Sequence, residues 1–190
     1  MMRAVIFDCF GVLTHDGWKQ IREEFFSQDP EKLQHSLDID KAVNAGFISY
    51  DDFISEIAHM SGLSESDVRQ RLKGSSPNTQ LFEYIRDELR PTYKIGMLSN
   101  MAANWLGDMF EPWQVALFDE AVLSYEIGAA KPDAIMYQTI ANRLGIMPEE
   151  GLFVDDSERY TTAAQDIGMR AIWHQNTKDT ITKINEAINA

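Results

Sequence analysis

The feature that most constrains this chain is an interruption. Ala4-Val5-Ile6-Phe7 is an unbroken apolar run, which suits a strand buried on both faces of a parallel sheet, and it ends at Asp8 with Gly11 available for a sharp turn. No second run of this kind follows until Ile95. From about Asp16 to Arg90 the spacing is helical: Trp18, Ile21 and Phe25, then Leu33 and Leu37, then Tyr50, Phe53, Ile54 and Ile57, then Leu81, Ile85 and Leu89 recur at three and four residues. A further helix is expected from Ser64 to Lys73, where Ser64-Glu65-Ser66-Asp67 resembles a capping box and Gly74 offers a left-handed stop. Ser76-Pro77 offers a cap and a proline at the first helical position. These apolar stripes read first as packing faces.

After Pro91 strands return at Ile95–Leu98, Ala121–Leu123, Leu152–Val154 and Ala171–Trp173. Helical segments lie between them, notably Pro132 to Leu144 stopped by Gly145 and Ser157 to Ile167 stopped by Gly168. Strand–helix alternation requires a parallel sheet covered on both faces. The predicted fold is therefore α/β: a core made of residues 1–14 and 92–190, with a helical block inserted at 15–91.

Composition matters chiefly for what it excludes. The 190 residues carry 17 Lys and Arg against 30 Asp and Glu, a net charge of −13. That excess repels polyanions, so neither nucleic acid nor an anionic membrane surface is an expected partner. No apolar run approaches the roughly 20 residues of a membrane helix, and Met1 to Phe7 is too short an apolar start for a signal peptide. The lone Cys9 and the lack of a Cys/His zinc pattern fit a reducing, cytoplasmic setting.

In an open parallel sheet, ligands bind beyond the carboxyl ends of the strands. There the sequence sets Asp8, Ser99-Asn100 and Asp155-Asp156. Three carboxylates converging on one crevice stay ionised only beside compensating cations, and Lys131 and a divalent metal are the obvious ones. All-oxygen ligands with room for water suit Mg²⁺. Each element alone has a plainer reading: Asp8 as a turn former, Ser99-Asn100 and Asp155-Asp156 as helix caps, Lys131-Pro132 as a solvated helix start.

Together, Asp8-Cys9-Phe10-Gly11-Val12-Leu13-Thr14, Leu98-Ser99-Asn100, Ala130-Lys131-Pro132-Asp133 and Phe153-Val154-Asp155-Asp156-Ser157 resemble the four ordered motifs of the haloacid dehalogenase superfamily of hydrolases. The resemblance spans nearly the whole chain. It implies a Rossmann-like core, with the helical block as a small α-helical cap, and hydrolysis of small phosphomonoesters, possible sugar phosphates among them, through an aspartyl-phosphate on Asp8. It further implies Mg²⁺ held by Asp8, the Phe10 carbonyl and Asp156, with Asp155 beside it. Ser99, Asn100 and Lys131 would bind the phosphoryl group, Lys131 also orienting the nucleophile.

Two departures stand out. Where phosphatases of this superfamily usually carry a second Asp that protonates the leaving oxygen, this chain has Phe10, and general acid–base help is typically worth ~10²–10⁴ in rate. An aromatic residue there is familiar from the superfamily's metal-independent 2-haloacid dehalogenases, which hold halide with a cap arginine; Arg22 is the nearest in sequence. The paired acids of the fourth motif favour the metal-dependent reading over that alternative, and a third is a ligand-binding protein with little turnover. His15 or Asp16, at the hinge into the cap, is expected to replace the missing acid. The second departure is Tyr160, at a position often Asn in related phosphatases. Asn44-Ala45-Gly46-Phe47-Ile48-Ser49-Tyr50 resembles a substrate-facing cap loop in which Phe47 and Tyr50 could meet substrate or pack in the cap. Trp105, Phe110 and Trp113 could be core or interface.

Overall fold

A computed structural model describes residues 1–44, 46–72 and 76–189 of the chain. Strands β1 (Ala4–Phe7), β2 (Lys94–Ser99), β3 (Glu120–Leu123), β4 (Gly151–Asp155) and β5 (Arg170–Trp173) form one parallel sheet in the order β3-β2-β1-β4-β5. The helices are α1 (Gly17–Ile21, continued by a wider turn over Arg22–Phe26), α2 (Pro30–Asn44), α3 (Tyr50–Ser61) and α4 (Glu65–Leu72). They are followed by α5 (Thr79–Tyr84, continued over Ile85–Leu89), α6 (Leu106–Met109), α7 (Pro112–Val115), α8 (Ser124–Ile127), α9 (Ala134–Leu144), α10 (Glu158–Asp166) and α11 (Thr177–Ile188). The molecule is thus an α/β protein with a Rossmann-like sheet.

All four residues of β1 are fully buried, as a central parallel strand requires. One sheet face packs Ile6, Leu98 and Phe153 against Met136, Tyr137, Ile140 and Leu144 of α9 and Ala164 of α10. Gly96 lets α9 sit this close, since a Cβ there would stand 3.0 Å from Leu144 Cδ1. The other face packs Val5, Phe7, Met97 and Val154 against Leu81, Phe82, Ile85 and Leu89 of α5 and Ile184 of α11. Helices α1 to α4 bury a separate cluster that includes Ile21, Phe26, Phe53, Ile54, Ile57 and Val68.

Several sequence expectations shift. Residues 79–89 were expected among the inserted helices at 15–91, yet their apolar stripe covers the sheet. The Ser76-Pro77 cap is displaced: Asn78 caps α5, its Oδ1 accepting from Leu81 N at 3.3 Å. Pro77 instead bridges Thr14, and Asn78 N donates to Leu13 O at 2.8 Å, so the two connections into the inserted helices run side by side. Helix α9 starts at Ala134 rather than Pro132, because Ala130 to Asp133 close a turn first, Asp133 N donating to Ala130 O at 2.9 Å. The Ser64 cap holds, with Asp67 N donating to Ser64 Oγ at 3.1 Å. The expected stop at Gly74, with Lys73, and Ala45 of the cap loop lie outside the described residues. Among the described residues no helix is long and apolar enough to cross a membrane.

Register and connectivity place the site. Phe7 lies opposite Met97 and Val154, so Asp8 and Asp155 emerge level and Ser99 one residue further along β2. After β3 the chain crosses to the far side of β1 to form β4, and a crevice opens at such a reversal of strand order.

Candidate active site

Asp8 leaves β1 with its carboxylate held by the next peptide: Oδ1 accepts from Cys9 N at 2.7 Å. The same oxygen lies 2.7 Å from Lys131 Nζ, which also reaches Asp155 Oδ2 at 2.7 Å. The other Asp155 oxygen accepts from Ser157 N at 2.8 Å, so both of its oxygens are engaged. Asp8 Oδ2 has no partner among the described residues. The lysine side chain is only 1% exposed. Burial alone would lower its pKa, but the Asp155 and Asp8 carboxylates outweigh that and hold it above its ordinary value. For Asp8, burial and then Asp155 raise the pKa, and Lys131 opposes them.

Asn100 secures the lysine's backbone rather than presenting free donors to the crevice. Its Oδ1 accepts from Lys131 N at 2.7 Å and its Nδ2 donates to Lys131 O at 3.1 Å. Tyr160 stands with its ring 5.0 Å from Lys131 Nζ and its hydroxyl 3.4 Å from Asn100 Nδ2. Ser99 is fully buried at the end of β2, and its Oγ has no hydrogen-bond partner. A buried hydroxyl left unpaired costs about 1–3 kcal/mol, so an acceptor arriving there is favoured.

Oxygen atoms of Asp8, Asp155 and Asp156 all lie within 4.8 Å of one another. Asp156 reaches this position because residue 11 is glycine: φ is +86°, and a Cβ would stand 2.6 Å from the Asp156 Cγ and Oδ2. Trp173, the last residue of β5, fixes the same turn by donating from Nε1 to Asp156 O at 3.0 Å. Sequence reasoning had not singled it out, although its strand-end position was the available signal. Lys19 Nζ lies 3.3 Å from Asp156 Oδ2 but is exposed, so its charge is screened. Three carboxylates facing one buried cation leave a negative, oxygen-only concavity that fits a hard divalent ion.

Above it is a cavity of about 390 Å³, whose lining includes Asp8, Phe10, Asn100, Lys131, Asp156 and Tyr160 from the sheet side. Trp18, Arg22, Asp40, Tyr50 and Phe53 of α1, α2 and α3 enclose it from the other side, together with Trp105. The Tyr50 and Trp105 ring centres are 4.8 Å apart, and the Arg22 guanidinium lies 5.2 Å from the Trp18 ring centre. Of the two hinge residues expected to supply an acid, Asp16 lines this cavity, whereas exposed His15 lines a separate depression with Gln20 and Asn78. Phe47 is 84% exposed and absent from the lining, unlike Tyr50. Phe110 is buried core, and Trp113 is 39% exposed.

A buried strand-end carboxylate gripped by lysine, at the reversal point of a parallel sheet and under inserted helices, marks an α/β protein whose reactive groups converge at the strand ends. The comparisons narrow this: the model of the haloacid dehalogenase-like hydrolases matches residues 2–168, and the chain belongs to that family. A phosphatase of Mycobacterium tuberculosis is 29% identical over 88% of this chain and 85% of its own. A HAD-like family hydrolase of Porphyromonas gingivalis superposes with a TM-score of 0.76 at 24% identity, covering 100% of this chain and 99% of its own. A HAD family enzyme of Bacteroides thetaiotaomicron, solved in complex with magnesium and inorganic phosphate, superposes with a TM-score of 0.68 at 25% identity, covering 92% of this chain and 95% of its own.

Proposed function

We propose that this protein is a Mg²⁺-dependent phosphomonoester hydrolase of the cytoplasm that acts on small metabolites, sugar phosphates among them, through an aspartyl-phosphate on Asp8. The observation that carries the reading is the cluster of three carboxylates within 4.8 Å around one buried lysine. Phosphoryl transfer needs a fixed nucleophile and compensation of charge on the transferring group. Asp8 would attack phosphorus through Oδ2, Oδ1 being held by Cys9 N and Lys131. Lys131 would keep the nucleophile oriented and neutralise a phosphoryl oxygen, while the unpartnered Ser99 Oγ donates to another. Asn100 would act through its grip on the Lys131 backbone.

The metal would be held by Asp8, the Phe10 carbonyl and Asp156, with Asp155 beside it committed to Lys131 and Ser157 N. When bound, it supplies positive charge that screens the nucleophile from the anionic phosphate. The part of the 15–91 insert that closes over substrate would be α1 to α4. The named relatives, a phosphatase and a magnesium- and phosphate-bound enzyme, support the same activity.

Phe10 favours a metal-independent dehalogenase instead. Against that reading, the Arg22 guanidinium sits over the Trp18 ring rather than free to hold halide, and Gly11 is fitted to the Asp156 carboxylate. The test is release of inorganic phosphate from a panel of small phosphomonoesters, with and without Mg²⁺, beside Asp8→Asn. Mg²⁺-dependent release abolished by the substitution is expected. Metal-free halide release from a 2-haloacid would replace the reading with the dehalogenase, and Mg²⁺ binding without any turnover would replace it with a binding protein.

A further inference from the structure

When the bond between phosphorus and an alkyl ester oxygen breaks, the departing oxygen needs a proton. Phe10, two residues after Asp8 and lining the cavity, has none to give. Outside the Asp8, Asp155 and Asp156 cluster, the lining contains two further carboxyls, Asp16 and Asp40. Asp16 has a structural assignment already: its Oδ1 caps α1, accepting from Lys19 N at 2.9 Å. Asp40 has none of comparable weight. Near the end of α2, it accepts a hydrogen bond from Asn44 Nδ2 at 3.1 Å, the buried indole N–H of Trp18 also faces it, and no cation lies within 4.0 Å of it among the described residues. A carboxyl set into an aromatic-lined wall without an ion pair is costly unless it keeps a proton or meets a ligand.

We propose that Asp40 is the proton donor to the leaving group and the base for the second half of the reaction, replacing the acid that Phe10 lacks; this rests on the phosphomonoesterase reading of the site. In the first half, Asp8 Oδ2 bonds to phosphorus, the ester P–O bond breaks, and the departing oxygen takes the Asp40 proton and leaves as the alcohol. In the second, water bonds to phosphorus, its proton passes to the Asp40 carboxylate, and the bond from phosphorus to Asp8 breaks to release inorganic phosphate. Donor and nucleophile both return to their starting forms.

The groups facing Asp40 agree with this assignment. Arg22 and Trp18 come from α1, Asp16 from the hinge, Tyr160 from α10, and Asn44 from its own helix. Burial raises the Asp40 pKa to about 6, Arg22 opposing and Asp16 reinforcing. A donor of that acidity holds its proton on the acid side of neutrality and can exchange it in either direction near neutral pH.

The test is a leaving-group series at saturating Mg²⁺, comparing wild type with Asp40→Asn, which keeps the shape and the Asn44 contact but cannot transfer a proton. kcat/KM covers the steps through leaving-group departure. For an alkyl phosphate, whose alkoxide is a strong base, it is expected to fall by ~10² or more, and by at least tenfold less for p-nitrophenyl phosphate, whose leaving group departs without protonation. The fall of the wild-type alkyl-phosphate rate above about pH 6 should vanish in the variant. Equal losses across leaving groups, or no loss with the alkyl ester, would overturn the proposal. So would a loss confined to polyol phosphates but not to a simple alkyl phosphate, which would make Asp40 a hydroxyl acceptor. If wild type releases phosphate from no ester, the phosphomonoesterase reading itself is what fails.

Discussion

Lys131→Met removes the only buried positive charge facing the carboxylate cluster among the described residues while nearly preserving side-chain length. The structure sets the scale. The lysine side chain is 1% exposed, Asp8 9% and Asp155 0%, and both N–O distances are 2.7 Å. Removing one member of a buried ion pair leaves uncompensated charge at a cost of about 3–5 kcal/mol, a large fraction of the ~5–15 kcal/mol that holds a domain folded. In a chain of this size that corresponds to a fall in Tm of about 6–20 °C.

The loss should also depend on pH. The folded-state pKa of Asp8 is raised, by burial and then by Asp155, and Lys131 is the one group among the causes that pulls it down. In the variant it rises further. Between the ordinary carboxylate pKa and the raised value, the folded state holds a proton that the unfolded state has released, so stability falls as pH rises. Urea unfolding of both proteins at about pH 5 and about pH 8 should therefore show the larger difference at the alkaline end. Saturating Mg²⁺ should return part of it, since ligand at 100 times its Kd stabilises by about 2.7 kcal/mol. A loss below about 1 kcal/mol, flat across pH and indifferent to Mg²⁺, would refute the assignment of Lys131 as compensating cation, because it would match an exposed ion pair.

Gly11→Ala combines positive-φ strain of about 1–2 kcal/mol with a Cβ 2.6 Å from the Asp156 carboxylate. Mg²⁺ affinity by calorimetry should fall by about 10–100-fold, and an unchanged affinity would remove Asp156 from the metal site. Ser99→Ala deletes a buried hydroxyl that has no partner, so the ligand-free protein should unfold at an equal or slightly higher urea concentration. Inhibition by inorganic phosphate should weaken by about tenfold, the effect of losing one good hydrogen bond, and unaltered inhibition would show that Ser99 does not meet the phosphoryl group.

Much of the fold was legible because its signals are local. The runs Ala4–Phe7 and Leu152–Val154 sit inside observed strands, and Asp8 and Asp155 stand where those strands deliver them. The C-terminal helix α11 carries an equally local signal in the spacing of Ile181, Ile184 and Ile188. Helix α5 was a different case. The stripe Leu81, Ile85 and Leu89 reveals a helix, but the same stripe could pack on the inserted helices or on the sheet, and only the assembled core gives it to the sheet.

The sequence by itself determined that a parallel α/β sheet is split after its first strand, and it supplied the acids and serine at the strand ends and the lysine ahead of α9, together with the departure at Phe10. Tertiary structure decided which side chains face the same cavity. His15 and Asp16 are neighbours in sequence, yet only Asp16 lines it; Phe47 points to solvent while Tyr50 turns in; Asn100 is spent on the Lys131 backbone; and Asp40, silent in the sequence, meets the crevice. Periodicity fixes which face of a helix is apolar. It does not fix how one packed unit is set against another, and the proton donor proposed here depends on that relation.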